Sequence, residues 1–307
     1  MSLDIVYRPI TQKDIAGVVE LCDGLYNIKR PAQYYTWQWF NCPNKSLLMG
    51  AFDVDRLIGL FGMQKKILNN GISCGCAINL NVRPDWQGKG IFSRLGGFII
   101  NEFRHCDLFC VFANAKAKYP CEHVFGFRNV ATLGTLLLDR FDGEAPADIK
   151  VEAINNDFNF TEQQDFRGPV SFVYSSEYRN WRYAQHPFYK YTLLKDNSGD
   201  FAIVKKFIDP CTGESFGDIV DFNSPLDNKE RLYQIFSRSC GYLKESGVNK
   251  ITTWALRDSL VRKVVEEIGF KEPGVCSYFE VKIIKPGIEY LYDTNRWHLR
   301  QADATNY

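Results

Sequence analysis

The 307-residue sequence lacks a surplus of either charge, with 37 Lys and Arg against 36 Asp and Glu and a net charge of +1. Nucleic acids and anionic membranes select proteins with strong basic patches, so neither is an expected partner. No uninterrupted apolar run approaches the roughly 20 residues that a membrane helix needs. The opening "MSLDIVYRPI" has no basic stretch followed by an apolar core, so no signal peptide is expected. None of the 10 cysteines forms a CxxC pair, and "CGC" at 74–76 is too tight for a zinc knuckle. The expectation is a cytoplasmic protein with reduced thiols and no metal site. Two common phosphate motifs are also missing: GxxxxGK[ST] does not occur, and GxGxxG fails at its last position, which is Ser93.

What is present is an ordinary globular composition, 45% hydrophobic, with a high aromatic share of 15%. Such a chain can bury large cores and line clefts with rings. Its length favours two domains. "DIVYRPI" alternates like a strand, and an amphipathic helix follows with Thr11 as its cap. "LLMGAFDVDRLIGLFGMQKKIL" reads as two strands around a turn, and "CAINLNV" as a third. Beyond these come the helix "FSRLGGFIINEFRHC", the strand "LFCVFAN" and a short helix ending at Gly126. The first half therefore reads β-α-β-β-β-α-β-α.

The second half repeats the first at a nearly constant offset. Trp37-x-Trp39-x-x-x-Pro43 returns 144 residues later as Trp181-x-Tyr183-x-x-x-Pro187. "IFSR" at 91–94 returns at 235–238, and Gly126-Phe127 returns as Gly269-Phe270. Four matches in one register, including "IVYRPI" with "IKVEAI", argue for two copies of one unit. The expected domains are residues 1–145 and 146–307, joined through "FDGEAPAD" at 141–148.

One stretch of the first copy carries chemistry: "RPDWQGKGIFSRLGG", residues 83–97, between a strand and a helix. A helix N-terminus leaves backbone N–H groups unpaired, and its dipole favours anions. Gly88 and Gly90 let the backbone approach a phosphate; Gln87 offers an amide donor and Lys89 a charge. The ordinary alternative is a tight turn that binds nothing. The second copy separates the two. Aligned with "QGKGIFSRLGG" it has "RLYQIFSRSCG", keeping the helix and losing both glycines. Glycines demanded by the fold alone should recur there, so a ligand role in the first copy is favoured.

A strand, then V-x-P-x-x-Q-G-K-G, a helix, a strand ending in Asn and a short helix closed by Gly-Phe together resemble the GNAT superfamily of acyl-CoA-dependent N-acyltransferases. The pattern Gln/Arg-x-x-Gly-x-Gly/Ala maps onto Gln87, Gly90 and Phe92, the last departing from the usual small residue. The resemblance covers residues 1 to about 140, with the remainder a degenerate second copy. It implies an α/β (α+β) fold of two tandem GNAT-like domains, each a mixed, mainly antiparallel twisted sheet flanked by helices. It further implies acetyl-CoA or another short acyl-CoA as co-substrate, its pyrophosphate on the amides of residues 87–92, including Ile91. The pantetheine arm would run beside "INLNV" and Val82, where splaying from "CVFAN" opens a slot, with Asn114 within reach.

Direct transfer to an amine needs a route for the amine's proton and a donor for the leaving thiolate. The family often places a tyrosine four residues before the Gly of Gly-Phe; here that residue is Glu122. Tyr119 and His123 lie close by in sequence, and histidine is the residue type best suited to general-base work near neutrality. Each also has an ordinary reading, as a packed or exposed helix residue with no chemistry. Asn79 and Asn81 share a strand face by the period of two and are candidates for orienting substrate. His186 aligns with Cys42, which points to a structural role. The paired W-x-[WY]-x-x-x-P motifs and the tail "WHLRQAD" resemble members acting in bacterial surface-polysaccharide pathways. The expected acceptor is then the amino group of a nucleotide-linked amino-deoxysugar, used by a monomer or homodimer. Alternatives are another small amine (antibiotic, polyamine or amino acid) and a non-catalytic acyl-CoA-binding module. A tRNA-dependent aminoacyl transferase with tandem halves fits poorly with the neutral charge.

Overall fold

The computed structural model describes residues 4–26, 28–143, 149–160 and 168–304. In chain order the first copy forms β1 (Ile5–Pro9), α1 (Ile15–Asp23), α2 (Ala32–Phe40), β2 (Ser46–Asp53), β3 (Arg56–Leu68), β4 (Ser73–Val82), α3 (Ile91–Glu102), β5 (Leu108–Ala113), α4 (Ala115–Phe125), β6 (Arg128–Gly134) and β7 (Leu136–Leu138). The second forms β8 (Lys150–Ile154), β9 (Phe172–Val173), α5 (Ser176–Arg179), β10 (Tyr191–Lys195), β11 (Phe201–Ile208), β12 (Ser215–Asn223), α6 (Lys229–Glu245), β13 (Lys250–Thr253), α7 (Leu260–Ile268) and β14 (Val275–Ile283). Of the expected interdomain link, residues 144–148 lie outside the described residues.

Local chemistry accounts for the starts and stops. The Asp14 carboxylate accepts from both the Thr11 amide and hydroxyl at 2.8 Å, securing the turn that leads into α1. Gly126 and Gly269 end α4 and α7 in the left-handed region, at φ 71° and 114°. Helix α2 is absent from the sequence reading because "AQYYTWQWF" is aromatic nearly all round. Tyr34, Tyr35, Trp37, Gln38 and Trp39 are all buried, leaving no polar stripe to mark a helical period.

The two sheets are ordered β1-β2-β3-β4-β5-β14-β6 and β7-β13-β12-β11-β10-β8. β4 pairs with β5 and β12 with β13 in parallel, whereas β1 to β4, β5 with β14, and the other neighbours in the second sheet pair antiparallel. The compact units are Met1–Val130 with Tyr278–Tyr292, and Ala131–Ser277 with Asp293–Tyr307. This differs from a division into residues 1–145 and 146–307. The last strand of the second copy, β14, pairs with β5 from Tyr278 opposite Ala113 to Ile283 opposite Leu108. The short β7 from the first copy joins the second sheet beside β13. Such an exchange depends on strand partners remote in sequence, and a linear repeat does not reveal it.

In the first unit, neighbouring residues of β3 show what covers each face. Phe61 stacks on Phe92 of α3 and belongs to the core shared with α4, whereas Gly62 lies hard against the ring of Trp39 in α2. Helices α3 and α4 thus cover one face, and α2 the other, with α1 beside it on β3.

Candidate active site

Parallel pairing of β4 with β5 runs from Cys74 opposite Leu108 to Ala77 opposite Val111 and ends there. The next residues of β4 carry a bulge: Gly62 pairs with Ile78, but Leu60 pairs with Asn81, and Asn79 takes φ 55°. The bulge turns β4 away and a slot opens through the sheet. A cavity of about 1040 Å³ occupies it. Its walls are Leu80–Val82 of β4, the turn into α3, the first half of α4 and, from the opposite face, Leu25 and Tyr26 at the end of α1.

The turn into α3 has the geometry of an anion cradle. Gly88 and Gly90 have φ 74° and 76°, and Gly90 is the N-cap of α3. A Cβ built on either glycine meets no heavy atom within 4 Å, so packing does not exclude side chains there. The left-handed backbone and the open space beside it are what glycine provides. The first helical bond of α3 is Arg94 N–H to Gly90 O at 3.1 Å, so the amides of Ile91, Phe92 and Ser93 belong to the uncompensated first turn. These residues fit a phosphate.

Val82, Gln87, Gly88, Gly90, Ile91, Phe92 and Asn114 all line the cavity, whereas Lys89 does not. The Lys89 ammonium rests over the Trp86 ring, 4.4 Å from its centroid. Gln87 donates its side-chain amide to Val82 O at 3.1 Å and thereby braces the turn from within. Phe92, the departure from the family pattern, turns inward between Phe61 and Phe125 and leaves its backbone at the cradle. Asn114 caps α4, accepting from the amides of Lys116 and Ala117 at 3.0 and 2.9 Å.

On the opposite face, Asn81 is buried, accepts from the Tyr26 hydroxyl at 2.6 Å and points its amide nitrogen at Cys22 Sγ, 3.8 Å away. Asn79 donates to Gln38 Oε1 at 3.0 Å. Both asparagines turn toward α1 and α2, but only Asn81 lines the cavity, because the bulge displaces Asn79 from the slot.

The catalytic candidates from the sequence are placed elsewhere. Helix α4 presents Ala115, Lys116, Ala117, Pro120 and Val124 to the cavity. Tyr119 and His123 are exposed and stacked on each other with centroids 4.0 Å apart, and His123 Nδ1 lies 3.0 Å from Tyr119 O. Glu122 pairs with Lys118 at 3.2 Å, and none of the three lines the cavity.

Sequence reasoning passed over two residues. Tyr26 follows α1 in "CDGLYNIKR", where nothing in the local pattern singles it out. Glu280, in the alternating strand "SYFEVKI", reads as a solvent-facing acid. It lies opposite Val111, fully buried, and neither carboxylate oxygen accepts a hydrogen bond. Burial, with a smaller push from Glu122, raises its pKa to about 7, against the pull of Lys118.

The second unit shows why it has no cradle. Residues 231–234, aligned with "QGKG", are not a turn: α6 starts at Lys229, capped by Asn228, and Leu232 is buried in the core. The slot is filled as well. Pairing of β12 with β13 ends at Asp218 opposite Thr252. There Gln301 of the C-terminal segment donates to Thr252 Oγ1 at 3.0 Å, and Thr252 donates to Asp218, itself ion-paired with Lys205. Arg300 donates to Asp221 at 2.9 Å, Tyr183 donates to the other Asp221 oxygen at 2.8 Å, and Tyr174 donates to Asp303. "WHLRQAD" and the Tyr of "WRYAQHP" thus act as buried structural polar groups. His186 does too, its Nδ1 accepting from the amides of Phe188 and Tyr189.

No protein-family model matches the sequence, and no curated protein does. Solved structures do. A tandem GNAT protein from the clavulanic acid biosynthesis pathway matches over 92% of this chain and 100% of its own, at 12% identity and TM-score 0.59. The Saccharomyces cerevisiae N-myristoyltransferase, solved with bound myristoyl-CoA, matches over 93% and 84%, at 11% identity and TM-score 0.62. A GCN5-related glucosamine N-acetyltransferase region of a fungal multidomain β-N-acetylglucosaminidase matches over 92% of this chain and 38% of its own, at 14% identity and TM-score 0.63. These likenesses establish the fold: two mixed sheets flanked by helices, in the tandem GNAT-like arrangement. Among the described residues, no helix is long and apolar enough to cross a membrane.

Proposed function

We propose that the chain is an acyl-CoA-dependent N-acyltransferase whose working site lies in the first unit. One observation carries the reading: a cavity of about 1040 Å³ begins at a left-handed glycine turn on a helix N-terminus and continues through the gap between β4 and β5. A long cofactor with an anionic end and a thin arm suits that shape. In this reading the amides of residues 87–92 hold the pyrophosphate, and Leu80–Val82 flank the arm. Lys116, at the mouth of the slot, adds a cation. The acyl group is delivered to the face carrying Tyr26 and Asn81, where the amine arrives. Bound acyl-CoA supplies an activated thioester; the chain supplies the cradle, the alignment and a slot that screens the arm from water.

The acceptor we favour is the amino group of a nucleotide-linked amino-deoxysugar. The resemblance of the repeated Trp motifs supports it, and so does the presence of a glucosamine N-acetyltransferase region among the structural neighbours. The test is free-thiol release from acetyl-CoA and longer acyl-CoAs against nucleotide-linked aminosugars, polyamines and aminoglycosides. Turnover on non-sugar amines alone refutes the sugar acceptor. Tight CoA binding with no turnover on any amine supports a non-catalytic acyl-CoA-binding module instead.

A further inference from the structure

The acyl-CoA reading leaves one proton unplaced, and the following rests on that reading. Acyl transfer forms a C–N bond, breaks the C–S bond and moves one proton, net, from the amine nitrogen to sulfur. A donor positioned at the sulfur speeds its departure. Tyr119, Glu122 and His123 lie off the cavity, so the family's usual stretch of α4 offers no such group. Among the described side chains lining the cavity, only Tyr26 and Lys116 carry a titratable proton. Lys116 stands exposed in the first turn of α4. Tyr26 enters from the opposite face of the sheet, beside the bulged end of β4.

The geometry points to Tyr26 as the catalytic acid of this site, held in place by Asn81. The contacts define the arrangement. Asn81 Nδ2 points to Cys22 Sγ, which turns Oδ1 toward the Tyr26 hydroxyl at 2.6 Å. The bond anchors the phenol oxygen, and at 39% exposure the side chain remains open to a ligand in the slot. Its burial on the remaining sides keeps the hydroxyl protonated, as a donor must be. As the C–S bond breaks, the Tyr26 hydroxyl turns from Asn81 Oδ1 and gives its proton to sulfur. The phenolate oxygen then takes a proton from the nitrogen that has bonded to the acyl carbon, and the tyrosine is restored. Nothing is oxidised or reduced, and no further reactant is needed. Asn81 is a positioning residue: it accepts the phenolic proton and so anchors the Tyr26 oxygen beside the slot.

The test is the affinity of wild type and Tyr26→Phe for CoA and for desulfo-CoA, by isothermal titration calorimetry. A hydroxyl on sulfur makes wild type prefer CoA by about 3- to 10-fold, the usual range of one hydrogen bond. Tyr26→Phe should lose that preference while binding desulfo-CoA unchanged. With any amine that supports turnover, the same variant should lose about 100-fold or more in kcat with little change in the KM for acetyl-CoA. An unchanged CoA preference in Tyr26→Phe overturns the assignment and leaves the acyl-CoA reading standing. A wild type that binds neither ligand overturns both. Tyr26 is partly exposed and its ring is kept, so the variant should melt within a few degrees of wild type.

Discussion

Replacing Glu280 with Gln should stabilise the protein at alkaline pH and leave it nearly unchanged in acid. The carboxyl is fully buried on β14, opposite Val111, and neither oxygen accepts a hydrogen bond. The groups of α4 that face it are Glu122, which disfavours its charge, Lys118, which favours it, and the uncharged thiol of Cys121. Burial dominates, and the pKa rises from an ordinary 4.5 to about 7. In the unfolded chain the same carboxyl loses its proton near its ordinary value. Between these two values the folded state holds more protons than the unfolded, so stability falls as pH rises. At about 1.4 kcal/mol per pKa unit, the total loss is about 3 kcal/mol, complete somewhat above pH 7. Gln cannot ionise and does not pay this penalty. Urea denaturation of both proteins at pH 5, 6, 7 and 8 should show a gap that opens with pH in favour of Glu280→Gln. A gap independent of pH, or a wild type more stable at pH 8, would refute the assignment of a buried, unpaired carboxyl.

Two further outcomes follow from placement. His123→Ala and Tyr119→Phe should each keep kcat within about twofold, because the stacked pair is exposed and does not line the cavity; a loss of 100-fold in steady-state turnover would put the chemistry on α4 after all. Arg300→Ala should cost about 3–5 kcal/mol in urea denaturation, since it strands the Asp221 and Asp303 carboxylates in the interior of the second unit. A cost below 1 kcal/mol would mean that the buried polar network does not depend on this arginine.

Much of this site is local in sequence, and that part was legible. The glycines at 88 and 90, the strand before them and the helix after them specify a left-handed turn at a helix N-terminus. The repeat marked which copy retains it. Alignment on "IFSR" gave the right partner helix but the wrong reason: α6 runs through residues 231–234, so the second copy replaces the turn with helix. What was not legible depends on partners far along the chain. Tyr26 meets Asn81 across 55 residues. Glu280 enters the first sheet from the last strand of the second copy, and an acid in an alternating strand carries no mark of burial. Asn79 turns to the same face as Asn81 but does not line the cavity. A bulge between Ile78 and Asn81 shifts the register there, and "INLNV" has no glycine to announce it.

The central claim is that the turn at Gly88–Gly90 holds the pyrophosphate of CoA, and calorimetric titration of CoA into wild type and Gly90→Asp tests it most directly. An aspartate there places a side chain in open cradle space, forces an L residue to φ 76° and sets a negative charge where the phosphate should lie. Wild type should bind CoA, and Gly90→Asp should lose at least about 100-fold in affinity while remaining folded, the combined effect of strain and charge. Equal affinity in the two proteins would contradict the account.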